Sequence, residues 1–162
     1  MTLSVQKSFQ IYECFKFAVK TIEPKFFSSF HGPEHSNRSD ILLSLPWATL
    51  AAFQIEIALK HLVTISGTMP PKVHNLEKLF GLLPLENSDP IRAKLNDFNF
   101  DSEMKKVSNM FIHARYLTED GETYLPIFLK SLRDAVEIEM RSDELKGINV
   151  YRGVNGEWRE VS

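Results

Sequence analysis

Apolar residues return every three to four positions along most of this chain, which is the period of helices buried along one face. Phe9, Tyr12, Phe15, Val19 and Ile22 make one such stripe and predict a helix over about 4–23, ending before Pro24. His31 to Arg38 reads as a loop, and Ser39 or Asp40 is the expected cap of a long second helix. That helix is apolar nearly all round between Trp47 and Ile65 and stops at Gly67, so it is expected to be central and buried. After Met69-Pro70-Pro71, short helices are predicted over about 73–80 and 90–97, the second starting on Asp89-Pro90. Asp101 is the expected cap of a helix reaching about Leu117, and a last long helix covers about 123–141, with Leu125, Leu129, Leu132, Val136 and Met140 turned inward.

The tail switches to alternation. Ile148 to Val161 contains Asn155-Gly156, the signal of a two-residue hairpin turn, which would set Gly153 opposite Trp158 and Arg152 opposite Arg159. The chain therefore reads as all-α. It predicts an up-and-down-type bundle of five to six helices over 1–146 and a small C-terminal β-hairpin over 147–162.

Composition narrows the class. Glycine is scarce, 7 in 162 residues, and 12 phenylalanines supply a core, which excludes intrinsic disorder. No charge-free stretch is long enough for a predicted membrane span, and no leader pattern opens the chain. The single Cys14 excludes an internal disulfide and a cysteine metal cluster, so a cytoplasmic protein without metal or cofactor is expected; Cys14 itself reads as a core thiol. The net charge is −2, and eight acids gather within 117–144, so neither double-stranded DNA nor a membrane is an expected partner.

Two segments hold candidate chemistry. In the central helix, Glu56 and Lys60 stand four apart in the favourable order and can pair near the bundle edge. Alternatively, Glu56 is buried and neutralised by a cation from another helix, with Arg115 the preferred partner. In the 101–117 helix, Val107, Met110, Phe111, Ala114 and Leu117 form a core stripe. Lys106, Asn109, His113 and Tyr116 share the opposite side, with Lys105 adjoining. That face is either the solvated side of an amphipathic helix or a site where His113 moves a proton on a phosphodiester. His31-x-x-Glu34-His35 has metal-like residue types, but Gly32-Pro33 prevents the helix that would align them; His74 reads as a capping or packing residue. No phosphate-cradling glycine loop, nucleophile elbow or zinc-protease motif occurs.

Over residues 40–141 the layout resembles a HEPN domain, a helical bundle of prokaryotic defence and toxin–antitoxin proteins. The likeness rests on Phe53-x-x-Glu56-x-x-x-Lys60, His74-Asn75-Leu76-x-x-Leu79 and Phe111-x-x-x-Arg115-Tyr116. The resemblance implies metal-independent RNA cleavage at a site shared by two subunits, built on an Arg, often followed by Asn, and a His beyond. Asn109 and His113 match that pattern, whereas Ser108 stands where the arginine belongs. Lys105, Lys106 or a second chain would have to supply the missing cation.

Three readings follow. The first is a HEPN-like protein with a degenerate nuclease motif, expected as a homodimer and binding RNA, a nucleotide or a cognate protein partner. On that reading Lys105, Lys106, Ser108 and Tyr116 line the binding face, and Glu56, Lys60 and Arg115 form a structural polar network. The second is an active ribonuclease toxin in which His113 is the base and Asn109 and Lys106 position the phosphate. The third is a dimerisation or scaffold module with neither activity.

Overall fold

A computed structural model describes residues 5–28, 43–110, 126–145, 150–152 and 158–160. Among them are six helices: α1 (Val5–Ser28), α2 (Ser44–Ile65), α3 (Leu76–Phe80), α4 (Leu85–Ala93), α5 (Phe100–Val107) and α6 (Pro126–Leu145). The all-helical character expected from the apolar periodicity is thus present.

The central position of α2 follows from its composition. Trp47, Ala48, Ala51, Ala52, Ile55, Ala58, Leu59, Leu62 and Val63 are all buried, and they lie on several sides of the helix. Four alanines let neighbouring helices approach closely. By length and composition α2 could cross a membrane, and most of its apolar stretch is buried inside the fold. It ends as expected: Gly67 has φ 83°, and Thr68 N donates to Val63 O at 3.1 Å, closing a Schellman cap. The expected caps Ser39 and Asp40 lie outside the described residues.

α1 runs antiparallel to α2. Ser8 meets His61, Tyr12 meets Gln54, Phe15 stacks on Phe53, and Phe26 and Phe27 close on Trp47. α6 is also antiparallel to α1, since Arg141 reaches Glu13 while Arg133 reaches Glu23. α2 and α6 therefore run the same way, and the short helices α3 to α5 lie between them in the chain. Leu129, Leu132, Val136 and Met140 are buried as their spacing predicts, and Phe128 joins them against Phe98 and Phe100. Leu125 lies outside the described residues.

Several boundaries differ from expectation. α1 continues through Pro24 to Ser28. Pro24 is exposed, so the Lys20 carbonyl that loses its donor lies on the solvent side, and the extra turn buries Phe26 at the Trp47 ring. α4 starts at Leu85 and carries Pro90 inside it, where the lost donor would have served only the exposed first turn. Asn99, not Asp101, caps α5, accepting from Ser102 N at 3.3 Å; Asp101 instead pairs with Arg92. The helix expected to run to Leu117 breaks at Ser108-Asn109, with Met110 beyond the break and residues 111–125 outside the described ones. Cys14 is exposed: two residues from Tyr12, it lies about 200° around the helix from the buried stripe.

The C-terminal β-hairpin on an Asn155-Gly156 turn is not supported. Residues 150–152 and 158–160 pair antiparallel, but Val150 faces Glu160, Tyr151 faces Arg159 and Arg152 faces Trp158. That register is one residue out of step with the expected one. It also sets Tyr151, not Arg152, against Arg159. The connecting residues lie outside the described ones.

Candidate functional site

Two of the three sequence motifs meet where α2 passes the segment leading into α3. Glu56 is buried in the central helix, with its side chain 6% exposed. Lys60, one turn on, donates to its Oε1 at 2.8 Å, which is the pair predicted from their spacing. The second partner comes from eighteen residues away. His74 Nδ1 lies 3.1 Å from Oε1 and 3.1 Å from Oε2. Glu56 is therefore both buried and paired within its own helix, and among the described residues His74 reaches it from outside that helix. Arg115, the preferred partner, lies outside the described residues, as do His113 and Tyr116.

Two neighbouring contacts hold the backbone beside His74. Asn75 is the N-cap of α3 and accepts from Lys78 N at 2.8 Å. Its amide also donates to Asn109 Oδ1 at 2.9 Å. Ser108 is buried at 2% exposure. Its Oγ accepts from Glu77 N at 3.0 Å, while its carbonyl accepts from Leu76 N at 3.0 Å. The N–H groups at the start of a helix have no partner within it, and here residues at the end of α5 supply them.

The expected binding face is divided. Ser108 and Asn109 turn toward α3; Lys106 folds onto Glu103 at 2.7 Å; Lys105 is exposed. Glu103 leaves its Oε2 buried without a hydrogen-bond partner among the described residues. The sequence predicts a capping or packing role for His74, and its pairing with Glu56 has no local signal, because no spacing rule links positions 56 and 74. The Asn75 cap did have a local signal, an N-cap residue type standing just before Leu76.

Two further polar clusters bind the long helices. Arg133, 7% exposed, grips the Glu23 carboxylate with both terminal nitrogens and also holds Asp134, and Trp47 Nε1 donates to Glu23 at 3.2 Å. Burial lowers the Arg133 pKa, but its bonds to Glu23 and Asp134 raise it further, so the net shift is upward. In the other cluster Glu137 bonds Lys16, Arg141 and Tyr12. Burial pushes Glu137 up, and these partners together hold it below the ordinary carboxylate value. Tyr12 is pushed far above the phenol range, chiefly by burial and then by the Glu137 charge. Both clusters join helices.

Among the described residues no group of three or more His, Cys, Asp or Glu is placed to hold a metal ion. No family model, curated protein or solved structure matches the chain.

Proposed function

We propose that this chain is a HEPN-like helical protein with a degenerate nuclease motif, acting as a homodimer that binds RNA or a nucleotide, or a cognate protein, in a prokaryotic stress or defence setting. The observation that carries the reading is the engagement of Ser108 and Asn109. Ser108 stands where the family's arginine belongs and is buried on the Glu77 amide, while Asn109 is bonded to Asn75. A residue that stabilises a pentavalent phosphate must turn its charge or amide toward the ligand. Lys105 is exposed, and Lys106 is half-buried against Glu103, so the cations that remain are suited to attraction more than to fixed positioning.

The test is incubation of the full-length protein with a labelled single-stranded RNA, read by gel for cleavage and by fluorescence anisotropy for binding. The expected result is a salt-sensitive anisotropy rise on intact RNA, unchanged in His113→Ala. Cleavage that vanishes in His113→Ala would replace this reading with the ribonuclease one. A dimer by light scattering that binds neither RNA nor mononucleotides would instead favour the scaffold reading.

A further inference from the structure

We propose that the outward face of α1 is the surface through which two copies of this chain pair, antiparallel about a two-fold axis beside Phe17. The proposal rests on the homodimer reading above and names the surface that would form the dimer. Phe17 is 76% exposed, more than any other large apolar side chain among the described residues. A single exposed ring is ordinary on a protein surface, so its surroundings decide. Gln10, Cys14, Thr21 and Pro24, the exposed residues one and two turns away on α1, carry no charge. On α6, Ile138 is 53% exposed and follows the Glu137 that bonds Lys16, so a second apolar side chain emerges at the same level.

The charges beside Phe17 point to the occupant. Glu13, Phe17, Lys20 and Pro24 recur at steps of four, three and four, so they lie on one stripe of the helix. α1 runs from Val5 to Ser28, and its midpoint falls between Lys16 and Phe17. A two-fold axis at that midpoint lays two copies of α1 antiparallel in full overlap. Glu13 and Lys20 stand equally far from the midpoint, so each Glu13 comes opposite the partner's Lys20, and the two Phe17 rings meet at the axis. Parallel pairing would instead set Glu13 against Glu13 and Lys20 against Lys20, which repel.

The side chains suit that exchange. Lys20 is exposed and joins no ion pair among the described residues, and Glu13 keeps 32% of its side chain exposed beside Arg141. One charge of each sign leaves the stripe neutral, so it lacks the positive field that would favour a polyanion over a second copy. A face that complements itself across a two-fold axis closes at two copies and does not propagate.

Light scattering of the full chain across a dilution series tests this. Native protein should be a dimer that dissociates on dilution. Phe17→Arg should raise the dissociation constant about tenfold or more, with the helical circular dichroism retained because the ring it replaces is exposed. Lys20→Glu sets acid opposite acid and should raise it about threefold or more. The register has its own readout. Chains carrying Glu13→Cys and chains carrying Lys20→Cys, each also with Cys14→Ser, should on mixing and mild oxidation form the mixed disulfide in clear excess over either homodisulfide. A native chain that stays monomeric removes the homodimer reading and this surface with it. A dimer that tolerates Phe17→Arg keeps the homodimer reading and overturns this surface. A mixed disulfide no more abundant than the homodisulfides also overturns it.

Discussion

Between α1, α2 and α6 the long-range polar contacts are mostly ionic and branched: Glu23 takes Arg133 and Trp47, and Glu137 takes Lys16, Arg141 and Tyr12. Where α3 meets the end of α5 they are neutral: Asn75 to Asn109, Ser108 to the Glu77 amide, and the Leu76 amide to the Ser108 carbonyl. The difference reflects what each region has to satisfy. Long helices meet side by side, their backbone groups already bonded, so only side chains can fix how far one slides along the next. Short helices expose unbonded ends, and those need small acceptors at fixed places. The first region is thus a core with a charged rim; the second is a set of mutual caps. Glu56 and His74 lie where the two meet.

Variants of the two regions should separate in size. Trp47→Ala removes the largest fully buried side chain among the described residues, with Phe26 and Phe27 packed on it, and should cost about 3–5 kcal/mol in urea unfolding. Glu23→Ala leaves Arg133 buried with Asp134 as its remaining acidic partner, so the loss should be about 2 kcal/mol, below the range for a fully orphaned charge. Asn75→Ala removes a cap and the Asn109 contact and should cost about 1 kcal/mol. Its amide-exchange signature is the sharper readout: protection should fall in α3 and the end of α5 while α1 and α2 keep theirs. Loss of protection in all helices together would show that the two regions are one cooperative unit.

The smallest effect is one of pH. Glu137 is held below its ordinary value of 4.5 in the folded protein. A depressed acid contributes stability that is complete above the unfolded pKa and disappears as pH falls through the folded one. Native protein should therefore lose stability progressively below about pH 4.5, and Glu137→Gln should flatten that acid limb relative to its own neutral-pH stability. Tyr12 works in the opposite direction. Its raised pKa favours the neutral phenol, so its contribution is present below pH 10.0 and fades above it, a limb that Tyr12→Phe should remove.

The sequence by itself determined what is local. The 3.6-residue apolar period located the three long helices, the all-round apolar stretch marked α2 as central, Gly67 marked its end, and the four-residue spacing paired Glu56 with Lys60. Each of these depends on neighbours within a turn or two of chain. Where local rules failed, a distant contact outweighed them. Pro24 lies inside α1 because the turn beyond it packs on Trp47, and Cys14 faces solvent because α2 and α6 take the other side of its helix. Only the tertiary structure decided that Ser108 and Asn109 face α3 and that His74 meets Glu56. Those partners are 18 to 34 residues apart, and no periodicity carries information over such a separation; the packing of α2 against the segment before α3, and of α3 against the end of α5, brings them within a hydrogen bond.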